Sequence, residues 1–286
     1  MRFQDLGELP GTVLLFGGPY SNLQATEALL AQANGLGLAR DHLICTGDIV
    51  AYCAQPAQTV ALLRDSGVSV VAGNCEIQLG AHALDCGCGF DEGTACDLLS
   101  VKWYAHANAR VDDEARRWMA QLPQILVFTQ AGKRVAVIHG GVTDVARFIW
   151  KTSPEVVFEE EIAALRAVVG AVDVVVAGHS GICFSRQIGG VQWVNAGVIG
   201  MPPHDGKQAT RYALMTEGTV SFCDLTYDVA AAVSDMQQAG LTQGYHLGLR
   251  DGYWPSEDVL PEELRVPLAD RRSPAQEGFP EVLASG

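Results

Sequence analysis

Short apolar, β-branched runs alternate with amphipathic stretches over the first three quarters of the chain. "TVLLFGG" has the pattern of a strand, and "NLQATEALLAQANGLG" that of a helix stopped by glycine. "HLICTGDIV" predicts a second strand, "QPAQTVALLRDSG" a second helix and "VSVVAGN" a third strand. These strand runs are bounded by glycine and separated by helices. The pattern predicts βαβ units in a sheet buried on both faces, an α/β arrangement.

Residues 80–123 break the rhythm. A glycine- and cysteine-rich segment, "GAHALDCGCGFDEGTAC", precedes two helical stretches, "DLLSVKWYAHANA" and "DDEARRWMAQLP", and the whole reads as an insertion over the sheet edge. Strands resume in "QILVFTQAGKRVAVIHGG", "DVVVAGHSG", "CFSRQIGGVQWVNAG" and "ATRYALMTEGTVSFCDLTYD". The short turns Gly189-Gly190 and Glu217-Gly218 predict antiparallel hairpins. A helix, "VAAAVSDMQQAG", follows. The expectation is one domain over residues 1–246, then a proline- and acid-rich tail over 247–286 that packs on the surface or is partly disordered.

Composition narrows the function classes. The chain has 286 residues, 48% of them hydrophobic, enough for a sizeable core. Its formal charge of −14 repels polyanions, so long nucleic acid is excluded as a partner. A small phosphorylated substrate stays admissible, because a bound cation reverses the local field. No apolar run is long enough to span a bilayer, and "MRFQDLGELPG" lacks a signal-peptide pattern; a cytoplasmic protein without membrane contact is expected. Eight cysteines then point to metal binding or burial in preference to a disulfide framework.

Candidate chemistry lies at the strand ends. "CTGDIV" delivers Asp48, "VVAGNCE" Asn74, "VAVIHGG" His139 and "VVVAGHSG" His179, each directly after an apolar run. The carboxyl ends of strands line the crevice of an open α/β sheet, so these four residues are expected at one rim. One carboxylate, one amide oxygen and two imidazoles suit a divalent transition metal, with manganese, iron and zinc all admissible. Any one of them alone would serve equally well to satisfy a nearby backbone group.

The order and wording of these motifs resemble the calcineurin-like metallophosphoesterases. That family's pattern is Asp-x-His-Gly-Asn, Gly-Asp, Gly-Asn-His/Cys-Asp/Glu, His-Gly and Gly-His-x-His. The similarity spans about residues 11–230, includes "VNAGVIGMPPHDGKQATRYAL", and is nearest to the small bacterial branch with Gly-Asn-Cys. It implies a four-layer αββα sandwich of two mixed β-sheets flanked by helices, with a metal site on one rim. It also implies a departure. "GGPYSNL" puts Gly18 and Tyr20 where the family has Asp and His, and "AGHSG" puts Gly181 at the second histidine. Those positions serve one metal, whereas Asp48, Asn74, His139 and His179 serve the other. A single retained cation is therefore expected.

On this reading Asp48, Asn74, Cys75 and His139 form the catalytic set. Tyr20, Asn22, Glu76 and Arg147 are expected to touch the substrate or brace the ligands. Cys75 stands where many members carry a catalytic histidine, and acts only if a nearby cation lowers its pKa. "DCGCGFDEGTAC" groups Cys86, Cys88 and Cys96; with Cys75 they are a possible thiolate site for zinc or an iron–sulfur cluster, single packed thiols being the simpler alternative. His82, His106, His204 and Arg211 are weaker candidates. The expected function is hydrolysis of a small phosphomonoester or phosphodiester through a reduced metal centre. The competing readings are an inactive member that binds a nucleotide or a protein partner, and a metal or redox sensor built on the cysteine loop.

Overall fold

The computed structural model describes residues 1–271. The chain opens with β1 (Phe3–Glu8), β2 (Thr12–Phe16), α1 (Leu23–Gly35), β3 (Leu43–Cys45), α2 (Pro56–Ser66) and β4 (Ser69–Val70). Three helices follow, α3 (Asn74–Gly80), α4 (Ala95–Asn108) and α5 (Asp113–Met119). Next come β5 (Ile125–Gln130), β6 (Lys133–Val137), α6 (Glu155–Val169) and β7 (Val174–Ala177). The last part holds β8 (Phe184–Ile188), β9 (Val191–Asn195), β10 (Thr210–Thr216), β11 (Thr219–Leu225), α7 (Val229–Gln238) and α8 (Tyr245–Asp251).

Two mixed sheets form. One has six strands in the order β1-β5-β6-β7-β9-β8, the other five in the order β11-β10-β2-β3-β4. The hairpins expected at Gly189-Gly190 and Glu217-Gly218 are present as β8–β9 and β10–β11, both antiparallel. Strands β6 and β7 run parallel, as do β2, β3 and β4, so each sheet presents neighbouring carboxyl ends on one rim.

Alternation along the strands builds the layers, because successive side chains point to opposite faces. Val135 and Val137 of β6 and Val174 and Val176 of β7 pack between the sheets with Val13, Leu15 and Ile44 of the other sheet. Their alternates Ala136, Val175 and Ala177 face outward, against Phe158, Ile162 and Leu165 of α6. On the opposite side Leu14, Phe16, Leu43 and Cys45 meet Leu29 and Ala33 of α1 and Val60 and Leu63 of α2. The result is the αββα sandwich. Each large apolar side chain buried this way contributes about 1.5–3 kcal/mol.

The insertion joins the second helical layer. Trp103, Tyr104 and Ala107 of α4 and Met119 of α5 share its core, and Pro123 O accepts from Ala72 N just beyond edge strand β4. Arg116 ties α5 down by donating to Leu79 O (2.8 Å), Asn108 O (2.6 Å) and Asn108 Oδ1 (2.7 Å).

Two expectations need correction. β1 was not anticipated: its residues are almost all exposed, so no apolar period marks it, and parallel pairing to β5 alone makes it a strand. The boundary at 246 falls inside α8, and the segment after it packs on the rest of the chain as far as Leu260. Leu249, Tyr253 and Leu260 are buried, apolar anchors in a polar-looking sequence. The expected disordered end, residues 272–286, lies outside the described residues. No helix among the described residues is long and apolar enough to cross a membrane.

Candidate metal centre

The rim collects the four expected donors. Asp48 follows β3, Asn74 opens α3 just after β4, His139 follows β6 and His179 follows β7. The first pair comes from one sheet and the second from the other. His139 Nε2 lies 3.0 Å from Asn74 Oδ1, 3.0 Å from His179 Nδ1 and 3.3 Å from Asp48 Oδ2. His179 Nδ1 is 3.8 Å from Asp48 Oδ2. All four residues are buried. Asp48 (φ +55°) and His179 (φ +56°) hold left-handed backbone, a conformation that costs about 1–3 kcal/mol outside glycine and clusters at functional sites.

Hydrogen bonding fixes which atoms face inward. His139 Nδ1 donates to Thr46 O at 2.6 Å, which leaves the Nε2 lone pair pointing at its three neighbours. Asn74 Nδ2 donates to Cys86 O at 3.0 Å, which turns Oδ1 toward His139. Ligand-competent nitrogen and oxygen atoms therefore crowd one point, and Asp48, His139 and His179 satisfy the spacing for a shared ion. A cation resolves the crowding, and mixed N/O donors suit manganese, iron or zinc. Burial opposes ionisation of Asp48, yet His139 and His179 hold its carboxyl below the ordinary range. Burial likewise opposes protonation of His139, but the Asp48 charge raises it, while His179, dominated by burial, is lowered.

Buried carboxylates brace the rim. Glu76 Oε2 accepts from Asp48 N (2.8 Å) and Gly73 N (2.9 Å), and its Oε1 from Ile49 N (2.8 Å). Glu76 thus positions the Asp48 turn and makes no contact with the cation site. Burial, then the Asp48 charge, raises its carboxyl to about 7 against the pull of His139 and these amides. Glu161 of α6 does the same for the turn after His139, accepting from Val142 N (2.5 Å) and Thr143 N (3.0 Å). Asn195 donates to Gly178 O at 2.8 Å and accepts from Gly197 N at 2.9 Å, steadying the turn before His179. Glu161 and Asn195 were missed. Glu161 sits in the acidic run "EEEIAALRA", which reads as a solvated helix face.

Several expected site residues have other roles. Asn22 caps α1, accepting from Ala25 N (3.1 Å) and donating to Gly200 O (3.2 Å), which leaves it no free group for a substrate. Arg147 is spent on Glu161 (2.7 Å) and Glu160 (2.9 Å), and Arg211 on Asp205 and Asp224. His106 contacts Ala54 O, and His82 is exposed. Cys75 is buried, and burial with the adjacent Asp48 and Glu76 charges pushes its thiol up.

The thiolate metal site is not assembled. Cys86 and Cys88 are joined in a disulfide, because Gly87 between them takes a left-handed turn (φ +58°) that brings their Cα atoms to 5.3 Å. Cys96 bonds with Ser256 and the Asp258–Val259 backbone. Among the described residues the group able to hold an ion contains no cysteine.

Next to the four donors the rim is filled by aromatic rings. A Cβ built on Gly18 would stand 2.5 Å from Tyr20 Cζ and 2.5 Å from Val198 Cγ1. One built on Gly181 would meet Trp254 at 3.4 Å. Tyr20 itself is buried in left-handed backbone (φ +52°). An Asp at 18 thus has no room. Gly18→Asp is expected to cost about 2–4 kcal/mol from overpacking and φ strain, read by urea unfolding. The cost should shrink in a Tyr20→Ala background; equal costs in both backgrounds would mean that the ring is not what fills the space.

Donors from two parallel-strand rims meet at the edge of an αββα sandwich in a candidate metal site of the kind a hydrolase uses. Residues 20–219 match the calcineurin-like phosphoesterase superfamily domain, and the chain belongs to that family, whose enzymes hydrolyse phosphoric esters. An uncharacterized protein of Methanocaldococcus jannaschii is 31% identical over 121 residues, which is 42% of this chain and 45% of that protein, so the match spans less than half of the relative. Among solved structures, a metallophosphoesterase from Sphaerobacter thermophilus superposes with a TM-score of 0.65 at 20% identity, over 85% of this chain and 100% of that one. A hypothetical protein from Pyrococcus horikoshii OT3 gives 0.68 at 17% identity, over 87% and 99%. These likenesses establish the shared fold.

Proposed function

We propose that this chain is a phosphoesterase for a small phosphomonoester or phosphodiester, working through one divalent transition-metal ion held by Asp48, Asn74, His139 and His179. The observation that carries the reading is the His139 Nε2 lone pair facing Asn74 Oδ1, His179 Nδ1 and Asp48 Oδ2, a convergence of ligand-competent nitrogen and oxygen atoms that suits a cation. A single ion is supported by Gly18, Tyr20 and Gly181, which offer no carboxylate or imidazole beside it.

When bound, the ion supplies Lewis-acid polarisation of a phosphoryl oxygen and acidifies water. The protein supplies position and protons. Glu76 and Glu161 hold the ligand turns in place before substrate arrives, so little reorganisation remains. Burial pushes the Tyr20 phenol well up, so its hydroxyl keeps its proton and is a donor to a phosphate oxygen in the cavity it lines beside Asp48 and His179.

Metal analysis and a chromogenic assay test this. Protein loaded with manganese, iron or zinc is expected to carry one ion per chain and to hydrolyse p-nitrophenyl phosphate or its diester, and Asp48→Ala to lose both ion and rate. Equal rates for Asp48→Ala overturn the enzyme reading, and two ions per chain overturn the single-ion centre.

A further inference from the structure

We propose that the cavity opening from the candidate centre is a subsite for a planar aromatic, uncharged leaving group, so that the substrate is an aryl-bearing phosphoester. The proposal rests on the phosphoesterase reading above and adds the substrate class.

Asp48 and His179 form one side of this cavity, and Tyr52, Phe148, Tyr245 and Trp254 line much of the remainder. Phe148 connects the two parts. Its ring centroid lies 4.3 Å from that of His179 and 5.7 Å from that of Trp150, the latter pair stacked with nearly parallel planes at 3°. Tyr52 and Tyr245 stack at 4.2 Å across the opposite wall. A ring entering such a space gains offset-stacked or edge contacts in addition to burial.

Among the described residues no lysine or arginine lines the cavity. Arg147 and Arg211, the nearest candidates by sequence, are held by carboxylates. A leaving group with a further phosphate or carboxylate would meet no cation there, whereas an uncharged ring meets apolar faces. Polar recognition remains available at the edges. The hydroxyls of Tyr20, Tyr52 and Tyr245 take no part in the hydrogen bonds among the described residues, and none is sealed from open space.

The wall is built in advance. Trp254 donates its indole N–H to Pro202 O (2.7 Å) and its backbone N–H to His204 Nδ1 (2.8 Å), and His204 Nε2 donates to Glu257 at 2.6 Å. His204, a weak ligand candidate by sequence, thus anchors the segment that closes the cavity. Such a prepositioned ring loses little rotamer freedom when a ligand arrives.

Two measurements test the proposal. In metal-loaded protein, phenylphosphonate is expected to bind roughly tenfold more tightly than methylphosphonate by titration calorimetry, the gain from burying one ring. Trp254→Ala and Phe148→Ala should each reduce that ratio while leaving metal content at one ion. Equal affinities in wild type, or an unchanged ratio in both variants, overturn the proposal. Should both variants fail to fold, the wild type still decides the matter: 2-phenylethyl phosphate should exceed ethyl phosphate in kcat/KM, the two alkoxide leaving groups being similarly basic. Asp48-dependent hydrolysis without that preference sinks the aryl subsite alone. Hydrolysis indifferent to Asp48→Ala sinks the metal reading beneath it.

Discussion

His139→Ala is expected to empty the metal centre and lower hydrolysis by about a thousandfold, the equivalent of about 4 kcal/mol of transition-state stabilisation. The size follows from where this imidazole stands. Its Nε2 is the atom closest to the other three donors, at 3.0 Å from both Asn74 Oδ1 and His179 Nδ1. Its Nδ1 crosses to Thr46 O at 2.6 Å and so ties the six-stranded sheet to the five-stranded one. Alanine removes a ligand and leaves the carbonyl of Thr46 without its donor. His139→Gln keeps a hydrogen-bonding side chain, so its stability should fall less, yet its metal content should fall as far. Metal analysis and kcat/KM with a phosphate ester check both variants. If His139→Ala retains its ion and more than about a tenth of the rate, the four-donor centre is wrong.

The four donors were legible because each one follows an apolar strand directly, and a strand-end signal is local in sequence. The parallel order of β3 with β4 and β6 with β7 then carried them to a common rim. The braces and the cavity wall were not legible, because their meaning depends on long-range contact. Glu161 belongs to an acidic helix face by composition, yet it is completely buried under the turn after His139. Trp254 lies in a proline-rich stretch with no period, and its hydrogen bonds to Pro202 O and His204 Nδ1 show why it is held. Asn22 and Arg147 drew attention as polar residues near motifs, but a helix cap and a pair of carboxylates account for them. The cysteine loop misled in a related way. Spacing gave three thiols in one segment, and a left-handed glycine then paired two of them with each other.

The departures from the family pattern and the aromatic wall belong together physically. Gly18 is small because the Tyr20 ring occupies the space that a larger side chain would need, whereas Gly181 holds left-handed backbone (φ +76°) with Trp254 in van der Waals contact. On the single-ion reading, the position beside the ion without the Tyr20 ring would be a polar void next to a charged centre, an expensive arrangement in a buried site.

Glu76→Ala is expected to destabilise the protein by about 4 kcal/mol and to abolish metal binding, although Glu76 touches no ion position. Three buried amides, those of Asp48, Ile49 and Gly73, have this one carboxylate as acceptor, and each orphaned amide costs about 1–3 kcal/mol before relaxation. The Asp48 turn is in left-handed backbone, so without the clamp it has reason to relax toward ordinary φ and carry its carboxylate away from His139. Glu76→Gln separates the two effects. It keeps the volume, but Oε1 and Oε2 both accept from amides, so whichever position takes the NH2 group sets donor against donor. The glutamine variant should therefore lose about 2 kcal/mol and bind metal more weakly than wild type while remaining folded. Urea unfolding paired with metal titration reads both quantities. An alanine variant within about 1 kcal/mol of wild type, with its ion retained, would mean that the Asp48 turn holds its shape unaided.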